Sequence, residues 1–415
     1  MRITILTSNH PSFDHVGCNE YVLASIAKGL IKSGNDVSYA FAHNDSKNIF
    51  KKIENVKYIG DFSNKLITKI SNNSFERFIK YIKAIFFEPI EDYYFLDPHQ
   101  IVNQLNKSKP DIYFIFWDTS FEYLIPYLSN KVVFAYYAKP PYESAFVLNN
   151  NDVLGYKKSR NYFKKFLINN YLKKKINNHL SRMQLIKQMS NICKQDVNYY
   201  LENNVKSEYI PLTTPDSFLS KRNNLYRNIN KQSTINIIGG LGNMKATGSV
   251  IGFNYLLSNV IPIIRKKLVD HKWVINFYGK GYKESDINRL KGNENFCFKG
   301  FVEDIDAEVL NNTIALFFNN AGPYRGTYTR IPYLMSGGIC IVAHSNLKKS
   351  VPELVHRENI LFGKNIDEIS KLTVEVIKNK KLAKEIGNNA RKTFLRYFSS
   401  EQVILKLNNT LKKLI

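Results

Sequence analysis

A chain of 415 residues with 44% hydrophobic, 23% charged and 13% aromatic residues holds enough apolar material for a large core, which excludes a disordered chain and allows two domains or three. Lys and Arg number 59 against 35 acids, a formal charge of +24, which favours an anionic partner such as a nucleotide, a membrane surface or nucleic acid. The chain also holds 48 Asn residues, and joint Lys and Asn enrichment is what an AT-rich genome produces, so part of the excess is compositional. The four cysteines, Cys18, Cys193, Cys297 and Cys340, form no C-x-x-C pair, which excludes a zinc ribbon and a disulfide framework and fits a reducing cytoplasm.

No run of 18 apolar residues is present, so no membrane span is expected. Residues 2–7 (RITILT) are too short an apolar stretch for a signal peptide and read as a buried strand. A polar loop with Gly17 follows. Val22, Leu23, Ile26, Ala27, Leu30 and Ile31 then keep a helical period up to Gly34, where a C-cap belongs. Further strands are predicted at 37–42, 111–117, 131–138, 188–193 and 209–215, with helical stretches between them and a helix over 195–203.

Residues 216–233 are polar and aperiodic and read as a linker. Beyond it a second set of strands is predicted at 234–241, 272–281, 296–302, 313–320 and 338–345, with a helix near 249–268. Alternating strands and helices on both sides of a linker predict two doubly wound α/β domains, with ligands beyond the carboxyl ends of the strands.

Four stretches of the second half resemble the donor domain of GT-B glycosyltransferases, in particular the group 1 or GT4-like family. They are GGLGNMKATGS (239–249), FKGFVEDIDAEVLNNTIALFF (298–318), YRGTYTRIPYLMSGGICIVAHS (324–345) and SVPELVHRENILFG (350–363). The tail RYFSSEQVILKLNNTLKKL (396–414) is similar to the family's closing helix. The resemblance implies two Rossmann-like domains facing across a cleft: an acceptor domain over 1–215, the linker 216–233, a nucleotide-sugar domain over 234–392, and a crossover helix over 393–415 that returns to the first domain.

The chain departs from the family pattern at three places. The basic pair beside the donor diphosphate falls on Gly240 and Lys245, so one cation is absent. The two glutamates of the E-x7-E region fall on Tyr324 and Pro332. The acceptor-side histidine falls near Tyr136 or Tyr137.

Lys245 and the loop 325–332 are the expected phosphate site: Gly326 for close backbone approach, hydroxyls from Thr327, Tyr328 and Thr329, and the planar fork of Arg330, which stands in for the cation missing at Gly240. Pro332 fits only a first helical turn, so a helix is predicted to start near Thr329 or Arg330 with free N–H groups towards the phosphate. Glu353 is the acid left in the donor motifs. On the acceptor side Gly17, Asn19 and Glu20 precede the first helix, which Asn19 or Glu20 could cap; the candidate catalytic residues are Glu20 as a base for an acceptor hydroxyl, Asp118 at a strand end, and Lys139 in the proline-fixed loop YYAKPPYES as a group for phosphate or a carboxylate.

Asp304 and Asp306 form a D-x-D pattern but read as a solvated helix start, and no His pairing suggests a metal, so neither metal nor cofactor is expected. Two basic, aromatic-rich stretches, 65–87 and the acid-free 156–188, have the composition of interfacial helices. The expected activity is metal-independent transfer from a nucleotide sugar to a lipid-linked saccharide in bacterial O-antigen or capsule synthesis, in the cytoplasm at the anionic inner face of the membrane. An epimerase, a non-catalytic scaffold and a CMP-sugar (Kdo or sialic acid) transferase are the alternatives. No RNP, KH, zinc-finger or helix-turn-helix pattern is present, so nucleic acid is not expected.

Overall fold

The computed structural model describes residues 1–8, 19–42, 56–68, 73–87, 93–128, 131–151, 161–219, 234–321 and 329–415. Contacts divide the chain into two compact units, the first built on Met1–Asn151, Lys158–Thr213 and Ser400–Ile415 and the second on Thr214–Ser399.

The first unit holds β1 (Arg2–Thr7), β2 (Asp36–Phe41), β3 (Lys57–Asp61), β4 (Leu66–Thr68), β5 (Tyr93–Phe95), β6 (Ile112–Phe116), β7 (Val132–Tyr137), β8 (Gln188–Asn191) and β9 (Ser207–Tyr209). Seven of them make one sheet in the order β3-β2-β1-β6-β7-β8-β9, every pair parallel. The remaining two, β4 and β5, form a small antiparallel pair. Apolar side chains cover both faces of the large sheet, which is why β1, β6 and β7 read as continuous apolar runs rather than alternating ones.

Six helices follow in chain order: α1 (Asn19–Lys32), α2 (Ser74–Phe86), α3 (Pro98–Asn106), α4 (Glu143–Asn150), α5 (Tyr162–Leu185) and α6 (Lys194–Glu202). Gly34 ends α1 with φ of 81°, the left-handed cap its position suggested. A C-terminal helix, Ser400–Lys412, packs on α1 within this unit. Gly29 permits the approach, since a Cβ there would lie 2.1 Å from Cδ1 of Ile404, and Asn35 Nδ2 donates to Asn408 Oδ1 at 2.8 Å.

The second unit holds β10 (Ile235–Leu241), β11 (Trp273–Tyr278), β12 (Phe296–Gly300), β13 (Ile314–Phe317), β14 (Cys340–His344) and β15 (Leu361–Gly363), all parallel in the order β12-β11-β10-β13-β14-β15. Its helices are α7 (Thr247–Lys267), α8 (Glu284–Leu290), α9 (Ile305–Leu310), α10 (Arg330–Ser336), α11 (Ile366–Lys378) and α12 (Lys380–Tyr397). Although α7 is long and apolar enough to cross a membrane by length and composition alone, Ile251, Phe253, Leu256, Val260, Ile261 and Ile264 along it are buried in the unit's own core. The Arg391 guanidinium of α12 pairs with Asp216 and donates to the Ser336 carbonyl at 2.8 Å, tying the unit's first residues to its last long helix.

Two expectations need correction. Residues 210–213 are not a strand: β9 stops at Tyr209, and Pro211 removes the N–H that a ladder needs. Asp306 is not solvated. It is buried and accepts a hydrogen bond of 2.6 Å from Tyr333 Oη, while Asp304 caps α9 through the Ala307 N–H. Within the basic helix α5, Lys175 is 1% exposed and its Nζ lies 5.6 Å from the centre of the Tyr142 ring. Two doubly wound sheets are borne out.

Candidate functional site

Each sheet reverses its strand order once, between β1 and β6 in the first unit and between β10 and β13 in the second. The carboxyl ends flanking such a reversal open a crevice, because the connections on its two sides run to opposite faces.

In the second unit that crevice is lined by Gly240, Gly242, Ser249, Tyr282, Asn319 and Arg330, among others. Gly242 turns the chain at the end of β10 with φ of 106°, and Gly279 turns it at the end of β11 with φ of 116°. A Cβ on Gly279 would come within 1.9 Å of the Gly242 carbonyl, so the two turns fit only without side chains. Arg330, the first residue of α10, lies over Gly242, where a Cβ would sit 3.1 Å from its Nε and 3.2 Å from its Nη2. Its Nη2 donates to Ser249 Oγ at 2.6 Å. Ser249 stands in the first turn of α7, a long helix whose positive end therefore faces the same crevice.

Tyr282 Oη is buried and makes no hydrogen bond among the described residues. Burial pushes this hydroxyl well above its usual range, against the opposing pull of the Arg330 charge. It also lies against Gly240, where a Cβ would come within 2.7 Å of it. A guanidinium, a helix N-terminus and an unsatisfied hydroxyl converging on glycine backbone suit a phosphate group.

The other predicted donor residues fall as follows. Thr329 precedes α10 directly. Gly326, Thr327 and Tyr328 lie outside the described residues. Lys245 is exposed on the loop after β10, where its N–H donates to Asn243 Oδ1 at 2.9 Å, and it is not among the residues lining the crevice. Glu353 lies in the turns after β14, half-buried, its carbonyl accepting from Asn359 Nδ2 at 2.9 Å, and it too is not a lining residue.

In the first unit Asp118 follows β6 at the order reversal and is buried. Its Oδ1 accepts from the N–H groups of Ser120 and Phe121, so it caps the 3-10 helix Phe121–Leu128. Burial raises its carboxyl to about 6, against hydrogen bonds from Phe121, Ser8 and Ser120 that favour the charged form. The geometry is that of a turn-forming cap rather than a base open to substrate. Glu20 is half-buried in the first turn of α1, Asn19 begins that helix, and Gly17 lies outside the described residues.

Lys139 follows β7. The residue is exposed at the surface, but partial desolvation around its ammonium lowers it below the usual range while the Asp196 carboxylate acts the other way. Asp196, in the first turn of α6, is buried, and its carboxyl rises to about 7, with Cys193 and the Lys139 charge opposing. Trp117 and Tyr142, at the ends of β6 and before α4, hold left-handed backbone at φ of 46° and 63°, an arrangement side chains adopt only when their surroundings enforce it.

Behind Asp118 runs a buried polar chain. Tyr137 Oη donates to the Asp118 carbonyl or to Glu122 Oε1, Glu122 Oε2 meets His179 Nδ1 at 2.9 Å, and His179 Nε2 meets Tyr200 Oη at 2.7 Å. Sequence reading missed Glu122, His179 and Asp196, and it passed over Ser249 and Tyr282. Ser249 and Asp196 each follow a strand closely enough to have been found. Glu122 and His179 are 57 positions apart and share no local pattern.

The Asp118 pair of states gives a pH test. Its folded value of about 6 lies above the ordinary carboxylate value of 3.8, so the native state holds the proton more tightly and stability falls as pH rises from about 4 to about 6. Asp118→Asn keeps an acceptor for both N–H groups without the charge. Urea titrations at several pH values should show the variant gaining on the native protein as pH rises through that window, by up to about 3 kcal/mol. An unchanged difference from pH 4 to pH 8 would show that Asp118 does not titrate there.

The sequence matches no protein-family profile and resembles no curated protein significantly. Solved structures do match over the whole chain. A sucrose-phosphate synthase from Thermosynechococcus elongatus aligns with a TM-score of 0.66 at 10% identity, covering 100% of this chain and 98% of that one. An E. coli trehalose-6-phosphate protein bound with UDP-2-fluoro glucose gives 0.62 at 10% identity, and Anabaena HepE in complex with UDP gives 0.60 at 11%, both covering 100% of each chain. The chain therefore has the GT-B fold of two Rossmann-like units.

Proposed function

We propose that this chain is a glycosyltransferase that binds a nucleotide sugar at the β10/β13 crevice of its second unit. The observation carrying this reading is the convergence of Arg330, Ser249, Tyr282 Oη and the start of α7 on the Gly242 turn. The neighbours found with UDP and a UDP-sugar support it by fold. In transfer, the bond between the anomeric carbon and the donor phosphate breaks and negative charge collects on the leaving oxygen. The Arg330 fork, fixed by Ser249, stabilises that charge, and Tyr282 Oη donates to it. The acceptor hydroxyl attacks the anomeric carbon and gives up its proton to a general base, a role for which Glu20 is the candidate left once Asp118 is a cap. Lys139, exposed after β7, binds the acceptor.

The acceptor in this reading is a lipid-linked saccharide of a bacterial surface polysaccharide such as O-antigen or capsule, met at the cytoplasmic face of the membrane. Its support is the basic, aromatic composition of α2 and α5. No carboxylate stands at Pro332, which is buried in α10, so the ribose is held by other groups.

Thermal unfolding with UDP, GDP, dTDP, CDP and CMP tests the donor. One of them at 100 times its Kd should raise stability by about 2.7 kcal/mol. Turnover of the matching sugar nucleotide should persist in EDTA, because the chain supplies its own cation. Stabilisation by none of the five, or turnover that needs added Mg²⁺ or Mn²⁺, overturns the reading.

A further inference from the structure

The apolar side of α2 faces outward. Phe75, Phe78, Ile79, Ile82 and Phe86 recur at the spacing of one helical face, which in a surface helix normally lies on the core. Yet the sole buried residue of α2 is Ala84, on the opposite side of the helix, where it packs with Tyr171 and Leu172 of α5. Lys80 lies on that side too, its Nζ 5.9 Å from the centre of the Tyr171 ring. Two further bonds fix this orientation: Asn170 Nδ2 donates to the Ala84 carbonyl at 2.9 Å and Lys174 Nζ to the Phe87 carbonyl at 3.2 Å. Phe75, Phe86 and Phe87 are consequently 67%, 74% and 68% exposed. The start of α5 adds Tyr162, Phe163 and Phe166, all exposed.

Arg77 and Lys83 of α2 and Lys164 and Lys173 of α5, all exposed, and half-buried Lys165 add cations to the same pair of helices. Glu76 is the one acid in the two helices. We propose that the α2–α5 pair docks this chain on an anionic lipid bilayer, with the aromatic side chains entering the headgroup layer and the lysines meeting lipid phosphate. Charge selects this occupant. A second copy of the chain would bring the same cations face to face, whereas an anionic bilayer complements them and accepts the rings as well. The inference rests on the membrane part of the proposed function, and because docking is measured without substrate, its failure is distinguishable from failure of the glycosyl-transfer reading.

The test is sedimentation of the full chain with phosphatidylcholine vesicles and with mixed phosphatidylcholine–phosphatidylglycerol vesicles. Binding should need phosphatidylglycerol and weaken as salt shortens the Debye length from about 30 Å at 0.01 M to about 8 Å at 0.15 M. Phe75→Ser with Phe86→Ser, and separately Lys164→Glu with Lys165→Glu, should each lower binding about tenfold without moving the melting temperature, since Phe75, Phe86 and Lys164 are exposed and Lys165 is only half-buried. Lys266→Glu with Lys267→Glu makes the same charge change at the exposed end of α7 and should bind like the native chain.

Three outcomes overturn the proposal. One is no preference for phosphatidylglycerol at low salt. Another is equal loss in the α7 control and the α5 variant, which would make the effect one of net charge. The last is self-association that the Phe75/Phe86 variant abolishes, which would make the face a contact between copies.

Discussion

Arg330→Ala is expected to weaken binding of a nucleoside diphosphate by about ten- to a hundredfold and to leave the nucleoside unaffected. A hydrogen bond to a charged group contributes about 1.5–3 kcal/mol, and the Arg330 guanidinium is already oriented by Ser249 Oγ at 2.6 Å, so little order is lost when phosphate binds. Gly242→Ala should produce much of the same loss from the other side. Its Cβ would crowd the guanidinium at 3.1–3.3 Å, and φ of 106° strains any side chain there. Lys245→Ala should cost less, because that side chain is exposed and its charge is screened by water. Calorimetric titration of the four proteins with the diphosphate and with the nucleoside checks the order. Equal losses for both ligands in Arg330→Ala would remove the arginine from the phosphate site.

Glu122→Leu should lower the stability of the first unit by about 3 kcal/mol, roughly 6–12 °C in melting temperature for a unit of this size. The carboxylate joins Tyr137 Oη to His179 Nδ1, and all three groups are buried. Removing it takes one buried hydrogen-bond partner from the Tyr137 hydroxyl and leaves the His179 Nδ1 without its carboxylate. Glu122→Gln keeps one acceptor and offers a donor, so its loss should be smaller. Scanning calorimetry separates the two. If Leu and Gln at 122 cost the same, the network is not what the carboxylate contributes.

Much of the architecture was legible without coordinates. The buried runs at 2–7, 112–116 and 132–137 are continuous because both sheet faces are covered, and that pattern by itself marks parallel strands. Gly34 and the helix start at Arg330 were legible for an equally local reason: a left-handed cap favours glycine, and Pro332 fits only a first turn. What depended on partners far along the chain was not legible. Asp118 has the position of a catalytic acid in sequence, and only the N–H groups folded onto it make it a cap. Lys175 stands in a run of three lysines, and only the Tyr142 and Tyr171 rings show that it points inward.

The sequence by itself determined that the chain makes two doubly wound α/β units and that a basic loop follows the first strand of the second, because hydrophobic period and turn chemistry are local properties. Tertiary structure alone decided that Arg330 meets Ser249 over Gly242, that Glu122 meets His179, and that the apolar stripe of α2 faces outward. Each of these depends on which face of one element packs on another, and that is set by side chains tens of residues away.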